Sequence, residues 1–171
     1  FGSKVLSFQL LEIQRLPDPP GFLGAMVEDG YTLIHLRRNT FEQALSLSLA
    51  QATGHYHRLN GDRKVPPAAQ IDLPPAAFAA QYRWNAAMLD YEDALLSRLP
   101  HITVDYDRDL APQRAHQPTI DRICASLGVP ASPVRADMRR MGGPNGIFRA
   151  SNTHVLRATV GAPARPVRLA G

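Results

Sequence analysis

The sequence predicts an α/β fold with a parallel sheet, and two observations carry this prediction. Residues 31–36 and 102–106 are short runs rich in β-branched and aromatic residues, and each precedes a segment with helical periodicity. The chain has 171 residues, of which 44% are hydrophobic and 20% are charged. This composition is typical of a folded globular protein, so we expect a single domain, 1–171, with a hydrophobic core.

Two short helical segments are predicted before the first strand. The apolar residues between 8 and 16 indicate a strand end that turns into a helix, and the prolines within 17–20 interrupt it. A second helix covers 22–27 and ends at Gly30.

The first strand and the helix after it have the clearest local signals. Residues 31–36 are nearly uncharged, which favours a buried strand of a parallel sheet. Asn39 can cap the next helix with Glu42 three residues later, as in a capping box, and helical periodicity continues to Gly54.

The rest of the chain alternates loop, helix and strand. Residues 58–75 are polar and proline-rich, which predicts a surface loop, and a long helix is expected over 76–99. A strand at 102–106 is followed by a helix over 118–128, with Cys124 on its apolar stripe. Residues 141–171 are expected to be irregular.

Composition and charge exclude several function classes. The formal net charge is +4, which favours an anionic partner but is low for a protein that coats nucleic acid. A single cysteine excludes an internal disulfide, and no apolar run approaches the roughly 18 residues of a membrane span. His55 and His57 have no third ligand at a suitable spacing, so we expect no metal. We predict a cytoplasmic protein.

The junction between the first strand and its helix is the best candidate site. Arg38 ends the strand, where parallel sheets gather their ligands, and a guanidinium can make two hydrogen bonds to one phosphate. Ser46 lies two helical turns beyond Asn39 and can flank the same phosphate. The alternative is that Arg38 and Ser46 are solvated surface residues of an ordinary strand and helix.

The segments Thr-Leu-Ile-His-Leu-Arg-Arg-Asn at 32–39 and Gln-Ala-Leu-Ser at 43–46 resemble the 3′-phosphate-binding strand and helix of PAPS-dependent sulfotransferases, especially bacterial carbohydrate types similar to Nod-factor and trehalose sulfotransferases. Segments 104–110 and 123–128 are similar to two later blocks of that family, in the same order. The resemblance runs to about residue 140 and implies a three-layer fold like that of P-loop NTPases, with PAPS as co-substrate and no metal.

The resemblance also assigns roles to individual residues. It implies that Arg38 and Ser46 hold the 3′-phosphate and that Tyr106 contacts the adenine. Phe-Gly-Ser-Lys at the start of the chain resembles the family's glycine-x-lysine strand, which makes Lys4 the catalytic cation. Arg139 and Arg140 resemble its basic, glycine-rich loop over the 3′-phosphate.

The chain departs from the family at its N-terminal side. No glycine-rich phosphate-binding loop follows any strand, so we expect the C-terminal two-thirds of a sulfotransferase, with a fold that is incomplete at the N-terminus. The general base is unassigned, because the position that carries a histidine in some relatives is Leu6.

The expected function is sulfuryl transfer from PAPS to a hydroxyl of a carbohydrate or glycolipid. The expected partners are a small-molecule or glycan acceptor and a second copy of the chain, with no nucleic acid. Two alternatives are open: a truncated, non-catalytic module for nucleotide binding or dimerisation, and a small nucleotide-dependent kinase.

Overall fold

The computed structural model describes residues 2–56, 58–59, 69–136, 138–139 and 148–161. The chain forms two compact units. The first unit comprises Phe1–Asn39 and Ala86–Arg135, and the second comprises Thr40–Asn85 and Ala136–Gly171. Helices and short strands alternate along the chain, so the α/β prediction is confirmed.

Helices contain most of the regular structure. The α-helices are α1 (Pro19–Glu28), α2 (Thr40–Thr53), α3 (Pro75–Leu96), α4 (His116–Leu127) and α5 (Thr153–Val160). Two π-helices (Gln9–Ile13 and Tyr106–Leu110) and one 3₁₀ turn (Gln113–Ala115) complete the helical elements of the described ranges. The strands there are β1 (Leu33–Arg37), β2 (Arg58–Leu59), β3 (Ala69–Ile71), β4 (His101–Asp105), β5 (Met138–Arg139) and β6 (Phe148–Ala150). No helix among the described residues has both the length and the hydropathy to cross a bilayer.

The sheet of the first unit consists of β1 and β4, which pair in parallel. Leu33 lies opposite His101 and Arg37 lies opposite Asp105, so both strands end at the same edge. We call this edge, where Arg38 and Tyr106 follow the strands, the carboxyl edge. The predicted parallel arrangement of these two runs is confirmed.

The prediction that the first strand is buried is wrong. His35 is 6% exposed, whereas Ile34 and Leu36 are 46% and 50% exposed. Side chains alternate between the two faces of a strand, and His35 occupies the face that packs against α3. Ile34 and Leu36 lie on the opposite face of β1, and this face keeps much of its contact with solvent among the described residues.

The helices of the first unit begin and end near the expected residues. The Asp18 side chain caps α1 by accepting a hydrogen bond from the Gly21 N–H at 3.0 Å. Gly128 ends α4 with a φ of 67°, a left-handed conformation that favours glycine. Cys124 is half-buried on α4, so the prediction that it lies in the core is wrong.

The second unit has a hydrophobic core between α2, the first turn of α3, α5 and the β3–β6 pair. Phe41 and Phe78 meet edge to face with ring centroids 5.2 Å apart, and Leu49 and Leu156 are almost fully buried. The buried core residues are Phe41, Ala44, Leu45, Leu49, Leu73, Phe78, Phe148 and Leu156. This packing stabilises the unit mainly by removing apolar surface from water.

Two segments contain more regular structure than the sequence predicts. The expected loop 58–75 includes β2 and β3, and Leu73 within it is 2% exposed. The expected irregular segment 141–171 includes β6 and α5. β3 and β6 have three residues each and pair with each other across almost 80 positions of the chain, so neither is visible in the local pattern.

Candidate functional site

The carboxyl edge of the β1–β4 pair brings two of the predicted site residues together. Arg38 directly follows β1 and Tyr106 directly follows β4. The Arg38 guanidinium carbon lies 4.6 Å from the centroid of the Tyr106 ring, which is cation–π distance. Both residues are half-buried. The parallel register places them side by side, because the strands end in phase.

An arginine in contact with an aromatic ring suits recognition of an anion next to a flat ring. The Arg38 guanidinium lies over the ring of Tyr106, and guanidinium N–H groups donate in the plane of the group. A phosphate bound by such N–H groups would lie beside a ring on which a planar group can stack.

The π-helix after β4 fixes the position of Tyr106. The Asp105 side chain accepts a hydrogen bond from the Arg108 N–H at 3.0 Å and so caps the turn. Asp107 Oδ2 accepts a hydrogen bond from the Asn39 N–H, also at 3.0 Å. This bond ties the end of β1 to the π-helix and holds Arg38 beside Tyr106, but the Asp107 carboxylate also brings a negative charge to the carboxyl edge.

Asp109 is a buried carboxylate of the π-helix that binds two arginines. Its side chain is 11% exposed and accepts hydrogen bonds from Arg108 Nε at 2.6 Å and from Arg122 Nη2 at 3.3 Å. It also accepts a hydrogen bond from the Asp105 N–H at 3.0 Å. The bond from Arg108 does most to lower the pKa of Asp109, which falls to about 2, while desolvation acts in the opposite direction. Asp109 is therefore ionised at neutral pH.

A second polar cluster lies on the α3 side of β1, and sequence reasoning missed it. His35 Nε2 is 3.2 Å from Glu92 Oε2, and Ser7 Oγ donates to Glu92 Oε1 at 2.6 Å. Arg37 Nη2 donates to Asp93 Oδ2 at 2.9 Å. In an activated-nucleophile arrangement the histidine would bond to the serine hydroxyl. Here Ser7 and His35 both bond to Glu92, so Ser7 is not arranged as a nucleophile that His35 activates. The cluster joins β1, α3 and the N-terminal segment.

Lys4 lies in a segment without regular structure, and Ser46 lies in the other unit of the chain from Arg38 and Tyr106. Lys4 is exposed to solvent. It lies in the segment 2–6, which has no regular structure, so the strand that the resemblance implies is not present there. Its side chain makes no hydrogen bond or ion pair with the described residues. Ser46 is half-buried on α2 and belongs to the second unit, whereas Arg38 belongs to the first.

The basic pair at 139–140 is only partly described. The Arg139 backbone forms β5, which pairs antiparallel with β2 opposite Arg58. The Arg139 side chain and the whole of Arg140 lie outside the described residues. Among the described residues, no group of three or more His, Cys, Asp or Glu side chains is arranged to hold a metal ion.

Comparison of the chain with protein-family profiles, with curated proteins and with solved structures finds no match.

Proposed function

We propose that this chain is a PAPS-dependent sulfotransferase that acts on a hydroxyl of a carbohydrate or glycolipid. The observation that carries the proposal is the cation–π contact between Arg38 and Tyr106 at the carboxyl edge of two parallel strands. PAPS carries a 3′-phosphate and an adenine ring, and a cation next to an aromatic ring can bind these two groups. We place this reaction in the cytoplasm.

The residues of the carboxyl edge fit this nucleotide in part. Arg38 would donate N–H groups to the 3′-phosphate, and Tyr106 would stack on the adenine with the ring face opposite Arg38. Ser46 is the second phosphate ligand that the resemblance assigns. Asp107 opposes the fit, because its carboxylate is bonded to the Asn39 N–H beside Arg38 and repels a phosphate.

The proposed reaction needs positioning and charge stabilisation. PAPS supplies the activated sulfuryl group, which passes to the acceptor hydroxyl by in-line displacement. A cation stabilises the negative charge that develops on the leaving phosphate oxygen, and Lys4 is the residue to which the resemblance assigns this role. No metal ion has a part in the proposal.

Titration calorimetry with 3′-phosphoadenosine 5′-phosphate tests the proposal. We expect Arg38→Ala to weaken binding by about tenfold or more, because a charged phosphate contact is lost. Arg98→Ala is the matched control, since Arg98 is an exposed arginine of the same unit. Adenosine 5′-phosphate, which lacks the 3′-phosphate, should bind more weakly and respond little to Arg38→Ala. Equal binding by the Arg38 and Arg98 variants would refute the assignment. Preference for ATP with magnesium would favour a kinase.

A non-catalytic nucleotide-binding module is the second candidate, and the position of Lys4 favours it. The proposed catalytic cation is exposed in a segment without regular structure. Binding of 3′-phosphoadenosine 5′-phosphate without sulfation of an oligosaccharide acceptor would support this module. Sulfation that Lys4→Ala abolishes would support the enzyme. Sedimentation of the same samples tests the proposed homodimer.

A further inference from the structure

A groove lined by three arginines lies on the first unit, and neither the motif resemblance nor the proposed function uses it. It is an open groove with a volume of about 480 Å³. The residues that line it are Arg108, Asp109, Arg114, Ala115, Pro118, Thr119 and Arg122. We call it the arginine groove. It lies between the π-helix Tyr106–Leu110 and the first turn of α4.

The arginine groove has an excess of positive charge. Three guanidinium groups face one carboxylate, that of Asp109, which leaves two positive charges uncompensated among the lining residues. Asp109 binds Arg108 and Arg122. Arg114 makes no hydrogen bond or ion pair with any of the described residues. Asp105 also acts on Arg108 through its charge, but it does not line the groove.

The two paired arginines are oriented before any ligand binds. Arg108 gives Nε and Nη2 to Asp109, and Arg122 gives Nη1 to the Thr103 carbonyl and Nη2 to Asp109. A guanidinium has five N–H donors, so each arginine retains donors after these bonds. Their side chains are 72% and 45% exposed, and a ligand can therefore reach them. Fixed donors lose less conformational entropy on binding.

We propose that the arginine groove binds the sulfate or phosphate monoester group of a small molecule such as a sugar ester. A tetrahedral monoester presents three terminal oxygens, which three guanidinium groups can share, whereas a planar carboxylate presents two. The positive end of the α4 dipole lies at the same groove and adds to the attraction. The site requires neither Arg38 nor Tyr106, so it goes beyond the proposed function.

A purely structural role for the network is the competing explanation. Asp109, Arg108 and Arg122 also join the π-helix to α4, and Thr119 Oγ1 donates to the Asp109 carbonyl at 3.0 Å. Arg114 separates the two explanations, because it lines the groove but takes no part in the network. A structural network predicts no effect of Arg114→Ala on anion binding, whereas a binding site predicts a large one.

The test is calorimetry of the full chain at low salt with glucose 6-sulfate, glucose 6-phosphate and glucuronate as probes. We expect saturable binding of one or both monoesters and binding of glucuronate that is weaker by about fivefold or more. Arg114→Ala should weaken monoester binding by about tenfold, because one of three cationic contacts is lost. Arg98→Ala should leave it unchanged. The sulfate and phosphate arms show which ester is preferred.

Three results would overturn the proposal: no saturable binding of either monoester, equal binding by the wild type and Arg114→Ala, or equal affinity for glucuronate. The experiment also separates this site from the nucleotide site. Monoester binding that Arg114→Ala weakens and Arg98→Ala does not supports this site, whether or not the chain binds the nucleotide. If the chain does not bind 3′-phosphoadenosine 5′-phosphate but does bind a monoester, the proposed function is refuted and the arginine groove is supported. Circular dichroism of each variant verifies that it is folded.

Discussion

Replacement of Asp109 by asparagine should make the protein less stable at neutral pH and should remove part of its acid sensitivity. Asp109 is 8% exposed, and its carboxylate accepts hydrogen bonds from Arg108, from Arg122 and from the Asp105 N–H. Asparagine keeps the size and one acceptor oxygen but loses the negative charge. The charge-assisted hydrogen bonds from both arginines are then weakened.

The magnitude follows from the pKa of Asp109, which is lowered from 3.8 to about 2. At about 1.36 kcal/mol for each pKa unit, this lowering corresponds to at most about 2.4 kcal/mol. Solvent screens the interaction, because the Arg108 side chain is 72% exposed, and this reduces the expected contribution to about 1 kcal/mol. A lowered carboxyl pKa stabilises the folded state above about pH 4. That stability is lost as the pH falls from about 5 to 2.

Urea unfolding at several pH values between 7 and 2 measures this effect. We expect the free energies of unfolding of the wild type and Asp109→Asn to differ by about 1 kcal/mol at pH 7 and to converge at pH 2. Asp90→Asn is the matched control, because Asp90 is exposed on α3 and makes no hydrogen bond or ion pair with the described residues. A difference that stays constant with pH, or no difference at pH 7, would refute the electrostatic argument.

Three further predictions concern the core, a helix end and the carboxyl edge. Leu156→Ala should lower the free energy of unfolding by about 2–5 kcal/mol, because Leu156 is 0% exposed, whereas Val155→Ala next to it should cost much less in the same urea titration. Gly128→Ala should cost about 1 kcal/mol, since an alanine at φ 67° is strained, and an unchanged melting temperature would contradict this. Asp107→Asn should strengthen binding of 3′-phosphoadenosine 5′-phosphate by about fivefold in calorimetry, because a repulsive charge beside Arg38 is removed; unchanged or weaker binding would show that Asp107 does not face the phosphate.

The elements that the sequence predicts well are those with local signals. The helix that ends at Gly128 and the parallel relation of the runs 31–36 and 102–106 can both be inferred from the order of the residues. The meeting of Arg38 and Tyr106 follows from the same logic, because residues that follow two paired parallel strands share an edge. The P-loop-like identity of the fold and the role of this edge stay predictions.

Other features depend on residues that are distant in the chain. β3 becomes a strand by pairing with β6, and His35 is buried against Glu92, which lies 57 positions away. The arginine groove combines the turn after β4 with α4, so its charge is not visible as a basic run in the sequence. By itself the sequence determined the alternation of helices and strands, since periodicity and capping act over a few residues. Only the tertiary structure decided which face of β1 is covered and which arginines share a carboxylate, because burial and ion pairing depend on the residues that folding brings together.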